Sequence, residues 1–300
     1  MKVFITGGTG FLGSSLTQKL LHSGHTVSIL TRSAKNRKSQ PGTTFVEGNP
    51  LEKGPWQKEV GWHDCIINLA GASIFCRWNE ANKKAIYDSR ILTTRHLVEA
   101  IPSQPGSRMI LLNGSAVGYY GFRNGEELNE SGTAGNDFLA SVVKEWETEA
   151  LQAEQKGCRV VLCRIGVILG RDGGALSKML NVFKLGLGSP LGTGAQWFSW
   201  VALHDLVNMF LFLMDNDAIT GPVNCTAPHP VTNKEMTSAL GKALHRPVFL
   251  PAVPAFLMKK GMGEFSDVFL KGQKVLPGIL QENGFNFEFP DIKDAFANLV

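Results

Sequence analysis

The stretch Thr6-Gly7-Gly8-Thr9-Gly10-Phe11-Leu12-Gly13 decides how this chain is read. It follows a short apolar run over residues 3–6 and opens a helical pattern over residues 11–22 that stops at Gly24. Glycines 7, 10 and 13 are spaced G-x-x-G-x-x-G, with Gly8 as an extra. A glycine loop between a strand and a helix is the setting of a dinucleotide-binding fingerprint. Early glycines allow the tight turn, the middle one lets backbone approach a pyrophosphate, and the last lets helix and strand pack closely. The helix N-terminus then offers free N–H groups and a positive dipole end to an anion. The alternative is a glycine turn that holds nothing, and the strand–helix alternation downstream of the loop argues against it.

Outward from the loop, strand and helix patterns alternate. Residues 26–31 (TVSILT) are β-branched and apolar, residues 44–47 form a weaker strand, and residues 65–70 (CIINLA) another. A long helical stretch spans residues 80–100, a strand 109–113, and a helix starts near Asn136 or Asp137, both good N-cap residues. That helix runs to about Gln155 with Gly157 as its stop, and residues 160–169 contain the next strand. Continuous apolar strands separated by helices predict a parallel sheet covered on both faces. The expected fold is α/β, a doubly wound parallel sheet of the NAD(P)-binding Rossmann type with a smaller C-terminal substrate lobe. After Gly170 the texture becomes glycine-rich. Residues 197–201 (WFSWV) and 223–226 are strand candidates, and a helix begins near Asp205. We expect a Rossmann domain over residues 1–230, with 171–196 on the substrate side, and a mostly helical domain over 231–300.

Composition narrows the function classes. Of 300 residues, 43% are hydrophobic and 19% charged, the balance of a globular protein rather than a disordered one. There are 30 basic and 26 acidic residues. Four of the basic ones, Arg32, Lys35, Arg37 and Lys38, fall within seven positions, and without them the count balances at 26 against 26. A local cluster without interleaved aromatics does not suit nucleic acid. Five cysteines, at 65, 76, 158, 163 and 225, form no CxxC, and free thiols in a reducing compartment are expected. The seven histidines show no ligand spacing, so no metal is expected. No signal-peptide pattern and no apolar run long enough to span a bilayer is found. The reading is a cytoplasmic protein, monomer or homodimer, with a small-molecule substrate and no nucleic-acid or membrane partner.

The end of the second strand selects the cofactor. NAD sites place an acid there for the ribose 2′-OH, whereas NADP sites accommodate the 2′-phosphate with arginine. Here the residues are Thr31-Arg32-Ser33, and no acid precedes Glu47. Arg32 has a forked geometry suited to phosphate and Ser33 has a hydroxyl to donate, so NADP is expected.

TGGTGFLG, with NLAGA (68–72) and GSAVGYYG (114–121), resembles the extended short-chain dehydrogenase/reductase superfamily. The stretches at 89–101, 164–176 and 192–200, and the tail from Gly263, narrow the resemblance. Together they resemble atypical epimerase-family proteins, described as nucleoside-diphosphate-sugar epimerase-like, that end in a small C-terminal domain. The resemblance covers essentially the whole chain. It implies that Gly7, Thr9, Gly10, Phe11, Leu12 and Gly13 wrap the pyrophosphate and that Thr31 and Arg32 hold the 2′-phosphate. It also implies that Leu69, Ala70 and Gly71 line the adenosine side, that Arg90 lies near the phosphates, and that Ile168 touches the nicotinamide end. A Gly-Asp pair that contacts adenine in many members is Gly48-Asn49 here, and an Asn oxygen can accept from the adenine amine. The family usually has His two positions after Trp200; this chain has Ala202, with His204 nearby and assigned no role.

The catalytic apparatus departs from that pattern. Active members use Ser or Thr with a Tyr-x-x-x-Lys pair on one helix face, the lysine lowering the tyrosine pKa. On the equivalent helix Lys144 is the only lysine, and four residues earlier stands Ala140, which has no proton to give. Leu139, Val143, Trp146 and Ala150 are expected to form the buried stripe, leaving Ala140 and Lys144 off it. Lys144 either reaches the nicotinamide ribose or is simply solvated. Ser115 matches the family's Ser/Thr position, or it only caps a strand end. Tyr119 and Tyr120, in the following loop, offer phenols by another route, or pack; Glu130 and Asp137 are weaker acid/base candidates. The candidate catalytic set is Ser115, Tyr120 and Lys144. The function expected is hydride transfer to or from a small polar, possibly nucleotide-linked substrate, as an oxidoreductase or epimerase-like protein. Trp197, Phe198 and Trp200 on the cleft side favour this. The alternative, favoured by Ala140, is a non-catalytic NADP(H)-binding or sensing protein.

Overall fold

The computed structural model describes residues 1–35, 37, 40–103, 108–123 and 125–300. Lys38 of the basic cluster lies outside them. In chain order, the first half contains β1 (Lys2–Thr6), α1 (Phe11–His22), β2 (Thr26–Thr31), β3 (Thr43–Glu47), α2 (Gln57–Val60), β4 (Cys65–Asn68), α3 (Glu80–Ala100), β5 (Ile110–Ala116), β6 (Glu127–Leu128) and α4 (Phe138–Leu151). Then come β7 (Arg159–Ile165), β8 (Val167–Gly170), α5 (Gly174–Lys184), β9 (Trp197–Phe198), β10 (Trp200–Ala202), α6 (Leu203–Asp215) and β11 (Gly221–Cys225). The tail holds β12 (Val231–Thr232), α7 (Asn233–Ala243), α8 (Ala255–Met262), α9 (Asp267–Leu270), β13 (Lys274–Val275), α10 (Gly278–Glu282) and α11 (Ile292–Leu299).

Seven strands form one sheet in the order β11-β7-β5-β4-β1-β2-β3, every neighbouring pair parallel. The order reverses at β1, so the loops after β1 and β4 open a crevice at the carboxyl edge, where ligands bind in such sheets. Alternation along the strands sorts side chains between two cores. Val3, Ile5, Ile110 and Leu112 join Leu16, Leu20, Phe210 and Leu213 on the α1/α6 side. Phe4, Leu111 and Ile66 join Leu97, Val98 and Ala150 on the α3/α4 side.

A third core gathers Leu169, Leu176, Phe183 and Trp200 with Leu240 and Phe296. The C-terminal lobe is therefore built on residues 169–202 as well as on the tail. Leu280 and Phe285 return to the first core, so the lobe is anchored to the sheet. The short β6/β13 pair, which the periodicity did not predict, ties the tail to the loop after β5. All five cysteines stand unpaired, four of them buried. Among the described residues, no helix is long and apolar enough to cross a membrane.

Candidate functional site

The glycine loop is tightly specified. Gly7 has φ +70, and a Cβ there would come within 2.8 Å of the Leu69–Ala70 backbone. At Gly13 a Cβ would lie 2.3 Å from the Gly7 carbonyl oxygen, so α1 starts almost in contact with the loop. The Gly10 N–H donates to Gly7 O at 2.9 Å and closes the turn. No side chain caps α1, and no acid sits in its first turn. The first helical bond runs from Ser14 N–H to Gly10 O, leaving the N–H groups of Phe11, Leu12 and Gly13 without helical partners. Thr9 and Gly10 are exposed, Phe11 is half-buried, and Leu12 and Gly13 are buried, so the last two offer backbone only.

A buried polar ladder fixes the neighbouring strand ends. Thr6 Oγ1 donates to Asn68 Oδ1 at 2.6 Å and accepts from the N–H groups of Leu69 and Ala70 at 3.2 Å each. Asn68 Nδ2 donates to Thr94 Oγ1 at 2.8 Å and to Asn113 Oδ1 at 2.7 Å. Leu69, Ala70 and the exposed Gly71 are thereby held against the glycine loop. Beside them lies Arg90, 3.3 Å from the position a Gly71 Cβ would take. Its guanidinium donates to Ala72 O at 3.1 Å and Ile86 O at 3.0 Å and sits over the Trp146 ring. Burial lowers its pKa to about 10, and among the described residues no carboxylate pairs with it. A half-buried cation lacking a counter-ion, next to an uncapped helix start, is a setting for an anion.

At the end of β2, Thr31 is buried and its hydroxyl donates to Ser33 O at 3.1 Å, so it serves the turn. Arg32 and Ser33 are exposed, and Arg37 donates to Ser33 O. Glu47 braces the same loop by accepting from Ala34 N–H at 3.2 Å. Asn49 Oδ1 accepts from Leu51 N–H and its amide donates to Glu52, so Asn49 is engaged in its own turn. On the other side of the crevice, Phe11 packs under the 170–174 loop, where a Cβ at Gly173 would lie 2.5 Å from its ring. That brings half-buried Ile168 and β8 to the mouth of the glycine loop.

Of the expected catalytic residues, Ser115 and Tyr120 are joined through one buried network, and Lys144 stands apart from it. Ser115 is buried and donates to Glu147 Oε1 at 2.6 Å. Glu147 in turn receives a two-pronged contact from Arg164, Nε to Oε1 and Nη2 to Oε2, each 2.8 Å. Tyr120 is fully buried; its hydroxyl donates to Asn224 Oδ1 at 2.7 Å and accepts from Arg164 Nη1 at 3.0 Å. Burial pushes the Tyr120 phenol up, against the opposing pull of Arg164. For Arg164, burial works against the charge, but the hydrogen bond and charge of Glu147 outweigh it and hold the guanidinium above its ordinary value. Lys144 is exposed on the solvent arc of α4. The stripe expected on α4 needs correcting: Ala140 is fully buried and Leu139 only half, because the inward arc runs through Ala140, Val143, Glu147 and Ala150. Asp137 is the helix cap, accepting from Ala140 N–H at 3.0 Å. Glu130 accepts from the N–H groups of Asn224 and Ile279, and burial raises its pKa. Tyr119 alone of the loop tyrosines stays half-buried, with Arg164 Cζ 3.5 Å from its ring centroid. His204 is exposed and 3.0 Å from Glu288.

Sequence reasoning missed Glu147 and Arg164. The only signal was a charge inside each of two apolar patterns: Arg164 within β7, and Glu147 seven residues from Ala140 on one face of α4.

Beyond β8 a cavity of about 320 Å³ opens between α5, β9, α7 and α9. Val167 of β8 is in its wall, as are Trp197 and Phe198, whereas Trp200 is fully buried and donates to His229 O. A small polar substrate was expected here; the wall is mostly apolar.

A family model described as the NAD dependent epimerase/dehydratase family matches residues 3–225. The chain belongs to that family. A domain of unknown function, DUF1731, matches residues 253–299. The chain is 43% identical over its full length to the chloroplastic epimerase family protein SDR39U1 homolog of Arabidopsis thaliana, covering 87% of it. It is 40% identical to the epimerase family protein YfhF of Bacillus subtilis, covering 98% of that protein. The crystal structure of the human epimerase family protein SDR39U1 (isoform 2) with NADPH superposes with a TM-score of 0.86 at 33% identity, covering 100% of this chain and 99% of that one. A Thermus thermophilus UDP-glucose 4-epimerase in complex with NAD, at 18% identity and TM-score 0.75 with both chains covered fully, shares the fold.

Proposed function

We propose that the chain is an NADP(H)-dependent oxidoreductase acting on a small molecule held in the cavity beside β8. The observation that carries this reading is the adjacency of two sites: the uncapped start of α1 with its glycine loop, and a cavity whose wall includes Ala175, next to Gly174, where a Cβ would lie 3.0 Å from the Phe11 ring. The N–H groups of Phe11, Leu12 and Gly13 would hold the pyrophosphate, with Gly7, Thr9 and Gly10 giving it room and Arg90 supplying positive charge. Leu69, Ala70 and Gly71 would border the adenosine, and Arg32 and Ser33 would receive the 2′-phosphate. When bound, NADPH would supply the hydride that, with one proton, reduces a carbonyl to an alcohol. That proton cannot come from Ala140. Ser115 and Tyr120 spend their hydroxyls inside the Glu147–Arg164 network, so we assign the proton to water or to half-buried Tyr119. The relative solved with NADPH, and the lack of an acid at Arg32, support NADP over NAD.

The buried positions of Ser115 and Tyr120 and the loss of tyrosine at Ala140 favour a second reading, a non-catalytic NADP(H)-binding protein. Calorimetry with NADPH and NADH, followed by an NADPH-oxidation screen against carbonyl compounds, tests both. Tighter NADPH binding with turnover supports the enzyme, and tighter NADPH binding with no turnover across the screen supports the second reading. Equal affinity for the two cofactors sinks the NADP assignment.

A further inference from the structure

We propose that the cavity beside β8 takes an amphiphilic substrate: an apolar body bearing one carboxylate or phosphate that reaches Lys178. This rests on the oxidoreductase reading and names the class of molecule on which it would act. At about 320 Å³ the cavity is of small-ligand size. Its wall is built from Val167, Met179, Phe183, Phe198, Met236 and Phe269, contributed by five separate elements. The two methionines can adapt to an irregular hydrocarbon or ring.

Several polar groups in the wall are already committed, and the buried Gln196 Oε1 is left without a partner among the described residues. The Gln196 amide donates to Leu191 O at 3.0 Å and to Phe269 O at 2.7 Å. Asn233 Oδ1 accepts from Leu191 N–H at 2.8 Å, and the Ser189 hydroxyl donates to Pro251 O at 2.6 Å. A sugar entering this space could donate one hydroxyl to Gln196 Oε1 but would leave most of its others without partners, and each such loss of hydration opposes binding. An apolar body loses nothing of the kind and gains from leaving water.

The charge in the wall has one sign. No carboxylate lines the cavity among the described residues, and its two cations are Lys178 and Lys271. Lys271 is paired with Asp267 at 2.8 Å. Lys178 has no carboxylate partner among the described residues; its ammonium sits 4.3 Å from the centroid of the Phe75 ring at the cavity edge. Phe75, Val182 and Leu187 also line the cavity, yet they stay 39%, 46% and 55% exposed. An apolar lip with one unpaired cation matches a molecule whose body slides inward while its anionic group stays at the rim.

The test is calorimetric titration of the full chain, with and without NADPH, using decanoate, 1-naphthaleneacetate, decanol and UDP-glucose. At least one of the two acids should bind saturably, decanol more weakly, and UDP-glucose not at all. Lys178 is exposed, so Lys178→Glu should fold; it should weaken the acid by about fivefold or more and leave NADPH affinity unchanged. Binding of neither acid, binding of UDP-glucose, or an acid affinity indifferent to Lys178→Glu overturns the proposal. The two levels separate cleanly. NADPH binding without acid binding removes this inference alone. Acid binding without NADPH binding removes the oxidoreductase reading and leaves the cavity assignment standing.

Discussion

Removing the Glu147 carboxylate should be among the most destabilising single changes on α4. Glu147 and Arg164 have side chains only 6% and 4% exposed and meet through two contacts of 2.8 Å. In Glu147→Ala the guanidinium keeps the Tyr120 hydroxyl at 3.0 Å, the Glu130 carbonyl at 3.4 Å and the rings of Tyr119 and Tyr120. None of these carries a full negative charge. Breaking a buried pair on one side costs about 3–5 kcal/mol, because the remaining charge stays out of water uncompensated. Ser115→Ala should cost less, roughly 1.5–3 kcal/mol for one charge-assisted hydrogen bond, since Glu147 keeps both Arg164 contacts. Glu147→Leu combined with Arg164→Met should recover most of the loss, because an apolar pair of similar volume is often neutral or better, within about 1–4 kcal/mol in its favour. The assay is urea unfolding of the wild type, both single variants and the double variant, followed by circular dichroism and by tryptophan fluorescence so that coincident midpoints license the comparison. If Glu147→Ala costs under ~1 kcal/mol, or the double variant is no better than Glu147→Ala, the pair is not the buried charge described here.

Arg32→Ala should weaken NADPH by about 10- to 100-fold and barely change NADH, since a charge-assisted hydrogen bond is worth roughly 1.5–3 kcal/mol; a parallel loss for both cofactors, by calorimetry, would falsify the 2′-phosphate assignment. Lys144→Met should leave NADPH affinity within a few-fold and retain any turnover, because the side chain lies on the solvent arc of α4; a collapse of either would put Lys144 back at the cofactor. Thr232→Ala should cost about 0.5–2 kcal/mol near neutral pH, because it dismantles the capping box of α7. The Thr232 backbone N–H, and then its hydroxyl, holds the Glu235 pKa below the ordinary 4.5. That part of the cap is complete above 4.5 and is lost as pH falls through the lowered folded value. The gap between wild type and Thr232→Ala, read as a difference in urea midpoint, should therefore narrow on acidification; a gap that widens contradicts the capping role.

The sheet and the cofactor crevice were legible because their signals are local. Glycines at 7, 10 and 13 impose a turn that only a strand and a helix on either side can use, and the predicted bounds of α3, residues 80–100, match its structure. Apolar strands with helices between them leave one economical topology, and the family match over residues 3–225 agrees with it. The position of Arg32 was legible for the same reason: an exposed charge at the end of β2 is read from sequence position alone. The surroundings of Ser115, Tyr120 and Ala140 were not legible, because partners far apart in sequence decide them. Nothing near Ser115 in sequence pointed to Glu147, 32 residues on, which accepts its hydroxyl's hydrogen bond. Tyr120 looked like a loop phenol until Asn224, 104 residues away, drew it into the interior. Ala140 looked solvent-facing because the stripe on α4 was drawn through large apolar residues, whereas the structure turns a glutamate inward to meet an arginine in β7. A sequence pattern assigns charge to the outside by default; only a tertiary partner can neutralise a buried charge, and that partner is invisible until the chain has folded. The apolar cavity is of the same kind, since its walls come from residues between 75 and 271 that no local period connects.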